Sequence, residues 1–176
     1  MAAIVDSLKR EHDAIVEFLR EQSEPSFVIA MEATASKVLL LAGASHLEQE
    51  LQEALAEYYK EVTGGEVRAV EFVRNKAMAR QYHTLFDWEA SNANRFFSLF
   101  GTEFKRLASE IISEDGELES NVSDFLQLGS LRNQLVHQNY AAFVLNKTTD
   151  EIYALYKGAE QFVERLPALL RQEARD

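Results

Sequence analysis

One uninterrupted helical pattern, over residues 25–62, constrains the fold more than any other feature of the sequence. Apolar side chains recur there every three or four residues, which places them on one face of an α-helix. Gly64 and Gly65 then supply a typical helix end. A helix of this length is expected to form the spine of a bundle, and no stretch of the chain alternates with a period of two for long. The sequence therefore predicts an all-α fold.

The remaining segments are also helical in pattern and predict a bundle of four main helices with short additional ones, in a single domain over residues 1–176. The last main helix starts at a capping box, because Thr148 is followed three residues later by Glu151. Pro167 predicts a break or a kink in that helix, since proline removes a backbone hydrogen bond. The other predicted helices end near residue 22 or cover residues 67–86, 95–100, 102–112 and 118–140.

Composition and charge narrow the classes of function. The chain has no cysteine, which excludes a disulfide framework, a thiolate zinc site and a cysteine nucleophile. Its 29 acidic and 18 basic residues give a net charge of −11, which argues against broad binding of duplex DNA through a basic surface. Charged residues interrupt the N-terminal pattern, and the longest strongly apolar run, residues 38–44, is far shorter than the ~20 residues of a membrane span. We therefore expect a cytoplasmic protein that does not enter a membrane.

The segment best suited to chemistry covers residues 129–140, GSLRNQLVHQNY, on a predicted long helix. Asn133 and His137 are four residues apart, so they differ by about 40° around the helix axis, and Arg132 can reach the same face from the adjacent position. Arginine binds a phosphate through two hydrogen bonds, histidine exchanges a proton near neutral pH, and asparagine orients a polar group. This set suits cleavage of a phosphodiester without a metal ion. The spacing alone favours a structural helix with a surface arginine and a histidine hydrogen-bonded at the edge of the core, because an arginine and a histidine five residues apart recur by chance in many helices.

Basic and aromatic side chains outside this segment suggest where a nucleic acid could lie. The predicted third helix carries four basic residues, among them Arg74, Lys76 and Arg80, against one acidic residue. They fit a track for the phosphates of single-stranded RNA, and equally a solvated helix face. Tyr140, just after the histidine, is a candidate for stacking on a base or for packing. Trp88 and the phenylalanines that follow it have helical spacing, which favours the core over base stacking.

No metal or cofactor is expected from the sequence. His46 and Glu50 are four residues apart and could share a metal ion, but no third ligand is evident. Gly64 and Gly65 lack the lysine and the serine or threonine that complete a phosphate-binding loop, and no serine nucleophile motif occurs.

Residues 132–137, RNQLVH, resemble the RxxxxH motif of HEPN domains, in the variant with asparagine after the arginine. Two further segments resemble one branch of these domains, the RiboL-PSP type. They are residues 43–48, GASHLE, in the long second helix and residues 88–101, WEASNANRFFSLFG. Together the three segments extend the resemblance over most of the chain from about residue 35 to residue 145. The resemblance implies an all-α bundle with the motif on a late core helix.

The resemblance also implies a reaction and a set of site residues. HEPN ribonucleases cut RNA without metal, by attack of the 2′-hydroxyl on the adjacent phosphate. Arg132 would stabilise the phosphate charge, His137 would transfer a proton or contact the phosphate, and Asn133 would orient the substrate or a dimer partner. The family often has a polar residue on an earlier helix facing the motif. Glu48 is the candidate for that residue, with Ser45 second, although Glu48 also fits a solvated helix face.

The predicted function is a metal-independent endoribonuclease that cleaves single-stranded RNA, either tRNA or mRNA. The resemblance implies a homodimer, because in the family two protomers usually pair so that both motifs line one cleft, and a two-fold axis doubles the single Arg/His pair. Relatives of this kind commonly act as toxins or in defence against phage, and an inhibitory partner protein would restrain them. Two alternatives stay open: a non-catalytic HEPN module that binds RNA or a nucleotide or only dimerises, and a scaffold bundle in which the motif is coincidental.

Overall fold

The computed structural model describes residues 2–79 and 81–172. Four long helices form a bundle, shorter helices lie between the second and third of them, and no strand occurs in the described ranges. The predicted all-α bundle of four main helices with short additional helices is confirmed. The helices are α1 (Ala2–Glu21), α2 (Pro25–Val62), α3 (Val67–Val73), α4 (Tyr82–Leu85), α5 (Asn94–Ser98), α6 (Thr102–Glu114), α7 (Gly116–His137) and α8 (Thr149–Leu170).

The core lies where α8 packs against both α2 and α7, while α1 lies along α2. Aromatic rings run through it from the short helices to the bundle. Phe86 stacks on Phe96 at 4.7 Å between ring centroids, and Phe125 of α7 meets Phe162 of α8 at 5.1 Å. Trp88 packs against the same cluster. The prediction that the aromatic segment after residue 86 belongs to the core is therefore confirmed.

A close approach and a buried polar network join α2 to α8. A Cβ at Gly43 would stand 3.0 Å from Cδ2 of Tyr156, so the glycine lets the tyrosine ring pack on the backbone of α2. The Tyr156 hydroxyl donates to Oε1 of Glu160 (2.9 Å). Its oxygen lies 3.0 Å from Nδ1 of His46, which serves as the donor because the hydroxyl proton is already used. His46 thus belongs to the interior of the bundle.

The predicted third helix, residues 67–86, is wrong as a continuous element. After α3 the chain forms a π-helical turn, Arg74–Met78, in which the amide of Ala79 donates to the carbonyl of Arg74 at 2.8 Å. Ala79 is extended and ends the helix. Periodicity missed this break because the apolar residues of the next short helix keep helical spacing. Tyr82 packs on Trp88, and Phe86, just after that helix, is buried against the same ring, so Trp88 and not a continuation of α3 places these side chains.

Two helix ends also differ from the sequence prediction. α7 ends at His137, three residues earlier than predicted. It begins at Gly116, because the side chain of Asp115 accepts a hydrogen bond from the amide of Leu118 (3.0 Å) and caps the helix. Of the break or kink predicted at Pro167, the break is wrong, since α8 continues to Leu170. The side chains around the proline, Leu166, Leu169 and Leu170, are buried and hold the last turn in place.

α2 is unusually apolar for a helix in this bundle. An 18-residue window within it has a mean hydropathy of 1.6, which by length and composition alone would suffice to cross a membrane. The same helix supplies the bundle core with Leu40, Leu47 and Leu51, all almost fully buried. The high hydropathy of α2 is therefore partly explained by its position as the spine of the bundle.

Candidate active site

The polar face at the end of α7 lines an open cleft of about 400 Å³. Arg132, Asn133, Val136 and His137 form the wall contributed by α7. On the opposite side of the helix Leu135 is buried in the core, which fixes the rotation of α7 and turns the motif outward. The arginine and asparagine are half-buried, and the histidine is exposed. The other walls come from α2, through Glu48, and from α4, through Tyr82 and His83.

Glu48 reaches the cleft because α2 and α7 run antiparallel beside one another. At one end of this contact Nζ of Lys37 donates to the backbone carbonyl of Tyr140 (3.0 Å). Further along, Ala44 and Leu47 of α2 border a small crevice with Gly129 and Asn133 of α7. Glu48 lies one turn of α2 beyond Ala44 and borders the cleft together with the motif. The structure thus brings Glu48 together with the three motif residues.

The contacts of Arg132 and the burial of Tyr82 bear most directly on the chemistry of the cleft. Nη1 of Arg132 donates to Oδ1 of Asn133 at 3.2 Å, and within residues 2–79 and 81–172 no carboxylate pairs with the guanidinium. Burial raises the pKa of the Tyr82 hydroxyl; the Glu48 carboxylate raises it further, while Arg132 opposes the shift. Tyr82 therefore stays protonated and can act as a hydrogen-bond donor. Arg132 remains available for an anion such as a phosphate.

Trp88 holds α4 against the motif helix. Its indole Nε1 donates to the backbone carbonyl of His83 at 3.0 Å. Its six-membered ring lies directly on Gly129, where a Cβ would stand only 2.1 Å from Cζ3. A hydrogen bond from Ser130 Oγ to Glu89 Oε1 (3.0 Å) ties the following loop to the same helix. These contacts set the position of the cleft wall that carries Tyr82 and His83.

Sequence reasoning missed Tyr82 and His83 as cleft residues. Both precede the motif by about fifty positions and fall within a stretch predicted as one continuous helix. Only the turn after α3 and the packing of Trp88 bring them to α7. No spacing signal connects them to the motif in the sequence.

Other predicted site residues lie outside the cleft lining. Arg74 pairs with Glu71 at 2.7 Å, and Lys76 borders a separate, mainly apolar crevice near the end of α2. Arg80 is outside the described residues. Tyr140 is exposed beyond the end of α7, with Nζ of Lys37 5.0 Å from its ring centroid. The second candidate on α2, at position 45, is exposed and does not line the cleft.

No group of three or more histidine, aspartate or glutamate side chains in the described ranges is arranged to hold a metal ion. His46 and Glu50, considered above as a pair of ligands, lie 3.3 Å apart between Nε2 and Oε1. The other ring nitrogen of His46 is engaged with the hydroxyl of Tyr156. The cleft offers an arginine, an amide, two imidazoles, a carboxylate and a phenol for chemistry on a substrate.

A helical bundle that carries arginine, asparagine and histidine of an RxxxxH motif at the edge of a cleft defines a HEPN-type domain. The family model described as RiboL-PSP-HEPN matches residues 6–172, nearly the whole chain. The chain belongs to the RiboL-PSP-HEPN family, and the resemblance found in its sequence is confirmed. No curated protein and no solved structure matches it. Membership of this family suggests a ribonuclease or an RNA-binding module.

Proposed function

We propose that the protein is a metal-independent endoribonuclease that cleaves single-stranded RNA in the cleft between α2, α4 and α7. The observation that carries the proposal is the meeting of Arg132, Asn133 and His137 with Glu48 around one open cleft. A histidine in a scaffold would be expected inside the core with a fixed partner. His137 is exposed and lines the cleft, as a residue that meets a substrate would.

Each side chain has a place in the reaction. The 2′-oxygen forms a bond to phosphorus while the bond from phosphorus to the 5′-oxygen breaks, which leaves a 2′,3′-cyclic phosphate and a 5′-hydroxyl. Arg132 stabilises the charge that builds on the phosphate oxygens. His137 moves a proton, Asn133 orients the phosphate, and Glu48 accepts a hydrogen bond from the substrate. Tyr82, which remains protonated, donates a hydrogen bond.

A homodimer is part of the proposal. Apolar side chains are exposed within and just beyond the motif, where Val136 and Tyr140 are each 46% exposed and Val144 is 73% exposed. A two-fold interface that covers them would bring two motif faces toward a common cleft. A role as a toxin or in phage defence, under an inhibitory partner protein, completes the proposal and rests on the family resemblance alone.

A cleavage assay tests the proposed function. Purified protein and the His137→Ala variant are incubated with end-labelled single-stranded RNA and with total tRNA in EDTA, and the product ends are analysed. We expect cleavage by the wild type only, with cyclic phosphate ends. Binding of RNA without cleavage at high protein concentration would instead support the non-catalytic module. Equal cleavage by both proteins would place the activity outside this cleft.

A further inference from the structure

We propose that His83 is a second catalytic histidine, which shares proton transfer with His137 across the cleft; this inference rests on the proposed ribonuclease function. The four histidines of the chain divide into two pairs. His12 and His46 are each 8% exposed, and they contact Asp13 (3.2 Å) and the hydroxyl of Tyr156 (3.0 Å). His83 and His137 are exposed, and both line the 400 Å³ cleft.

The imidazole rings of the two cleft histidines make no polar contact that stabilises the described part of the structure. In the described part of the chain, no hydrogen bond or ion pair involves the ring of His83 or that of His137. The backbone of His83, in contrast, is held firmly. Its carbonyl accepts the bond from Trp88, whose ring is seated on Gly129 of the motif helix. The structure therefore fixes the position of α4 and leaves the imidazole free to meet a substrate.

The chemistry of the cleavage needs two proton transfers on opposite sides of the phosphorus. The attacking 2′-oxygen and the departing 5′-oxygen stand in line, so the group that removes one proton and the group that supplies the other cannot occupy the same place. His137 lies on the same wall as Arg132, which binds the phosphate. His83 lies on a different wall, formed by α4. The two imidazoles thus stand on different walls of the cleft that holds Arg132, as two proton-transfer groups on either side of a bound phosphate would.

Within one protomer, the other polar groups of the cleft fit this role less well. Tyr82 has a raised pKa and holds its proton, so it does not act as a base. Glu48 already has a role in the proposed reaction, as the acceptor of a hydrogen bond from the substrate. An imidazole can accept or donate a proton near neutral pH. In the proposed step one imidazole takes the proton of the 2′-hydroxyl and the other, protonated, gives its proton to the 5′-oxygen, which leaves as an alcohol.

Two substrates and three variants test the proposal. The variants are His83→Gln, His137→Gln and, as a control on the same short helix, Thr84→Ala, whose side chain borders the separate apolar crevice. The first substrate is the RNA that the wild type cleaves, followed under single-turnover conditions from pH 5 to pH 9. The second is the same RNA with sulfur in place of the 5′-oxygen at the cleavage site, because a thiolate leaves without a proton. Circular dichroism and thermal melting verify that each variant is folded.

We expect His83→Gln to lower the rate on ordinary RNA about 10²–10⁴-fold, the usual contribution of a proton-transfer group, and to remove one limb of the pH profile. Thr84→Ala keeps the rate of the wild type. On the sulfur substrate, the variant that lacks the proton donor recovers toward the wild-type rate, and the variant that lacks the proton acceptor stays slow. This contrast assigns a role to each histidine.

Three results would overturn the proposal. One is an unchanged rate and pH profile for His83→Gln. Another is a slow His83→Gln variant whose profile keeps both limbs, which would make the residue a positioning residue only. The last is a wild-type protein that cleaves neither substrate, which would remove the proposed function together with this inference. An active wild type beside an active His83→Gln variant removes the inference alone.

Discussion

The ring of Trp88 occupies the space that a side chain at Gly129 would fill, since a Cβ there would lie 2.1 Å from Cζ3 and 2.2 Å from Cε3 of the indole. The glycine is three residues before the motif arginine, and the tryptophan holds the carbonyl of His83. A single missing side chain in α7 therefore determines how closely the α4 wall approaches the motif. This contact links the stability of the core to the shape of the cleft.

Replacing Gly129 with alanine should destabilise the protein and impair the cleft. The added methyl group must displace Trp88 or shift α7, and overpacking of this kind costs about 1–3 kcal/mol. The free energy of unfolding is measured by urea denaturation, and RNA cleavage is measured on the same sample.

Gly116→Ala is the matched control. It lies in the first turn of α7 with nothing within 4 Å, so alanine there should be neutral or stabilise by up to ~1 kcal/mol. Equal stability of the two variants would contradict the packing role of Gly129.

Replacing Arg132 with lysine should show whether the site needs the two-pronged geometry of the guanidinium or only its positive charge. Arg132→Lys keeps the positive charge but loses the two-pronged contact with a phosphate. We expect the cleavage rate to fall about 10²–10³-fold, as when a group that stabilises transition-state charge is removed. The melting temperature should hardly change, because the guanidinium makes its hydrogen bond only to Asn133 among the described residues. Arg95→Lys, at an exposed position on α5, serves as control and should cleave at the wild-type rate. A large loss of stability in Arg132→Lys would indicate a structural role instead.

The Tyr156 hydroxyl should contribute measurably to folding. Tyr156→Phe leaves the buried carboxylate of Glu160 and Nδ1 of His46 without this partner, and an unsatisfied buried polar group costs about 1–3 kcal/mol. Urea denaturation gives the difference in the free energy of unfolding. Tyr153→Phe is the comparison, because its hydroxyl bonds to Asp6 (2.8 Å) in a partly exposed setting and should matter less. The reverse order of the two losses would argue against the network as a link between α2 and α8.

The cap of α7 should make stability depend on acidity. The guanidinium of Arg165 and the amide of Leu118 hold the pKa of Asp115 below its usual value of 3.8. A carboxyl whose pKa is lower in the folded state stabilises the fold above the unfolded pKa, and this contribution is lost as pH falls through the folded value. Asp115→Asn keeps a capping side chain but removes the charge. Its stability deficit relative to the wild type should stay constant from pH 7 to about pH 5 and vanish in strong acid. A deficit that persists at low pH would show that charge is not the cause.

The sequence was informative wherever a pattern was local. The capping box at Thr148 and Glu151 is present, with the threonine side chain and the glutamate each bonded to the other's backbone. The shared helix face of the motif's arginine, asparagine and histidine needed only the geometry of a helix to be predicted, and the family was recognised from the motif together with residues 43–48 and 88–101. The break after α3 was missed because the apolar residues of α4 continue the helical spacing. A break at Pro167 was wrongly allowed for, because burial of the surrounding leucines holds the last turn of the helix together.

By itself the sequence determined the helical class, the four long helices, the family, and the face on which Arg132 and His137 lie, because each depends on residues within a few turns of one another. Only the tertiary structure decided which distant side chains complete the cleft. The antiparallel contact of α2 with α7 places Glu48 in the cleft. The packing of Trp88 on Gly129 places His83 there. Such contacts depend on the shapes of surfaces far apart in the chain, and periodicity within a helix carries no information about which surface it will meet.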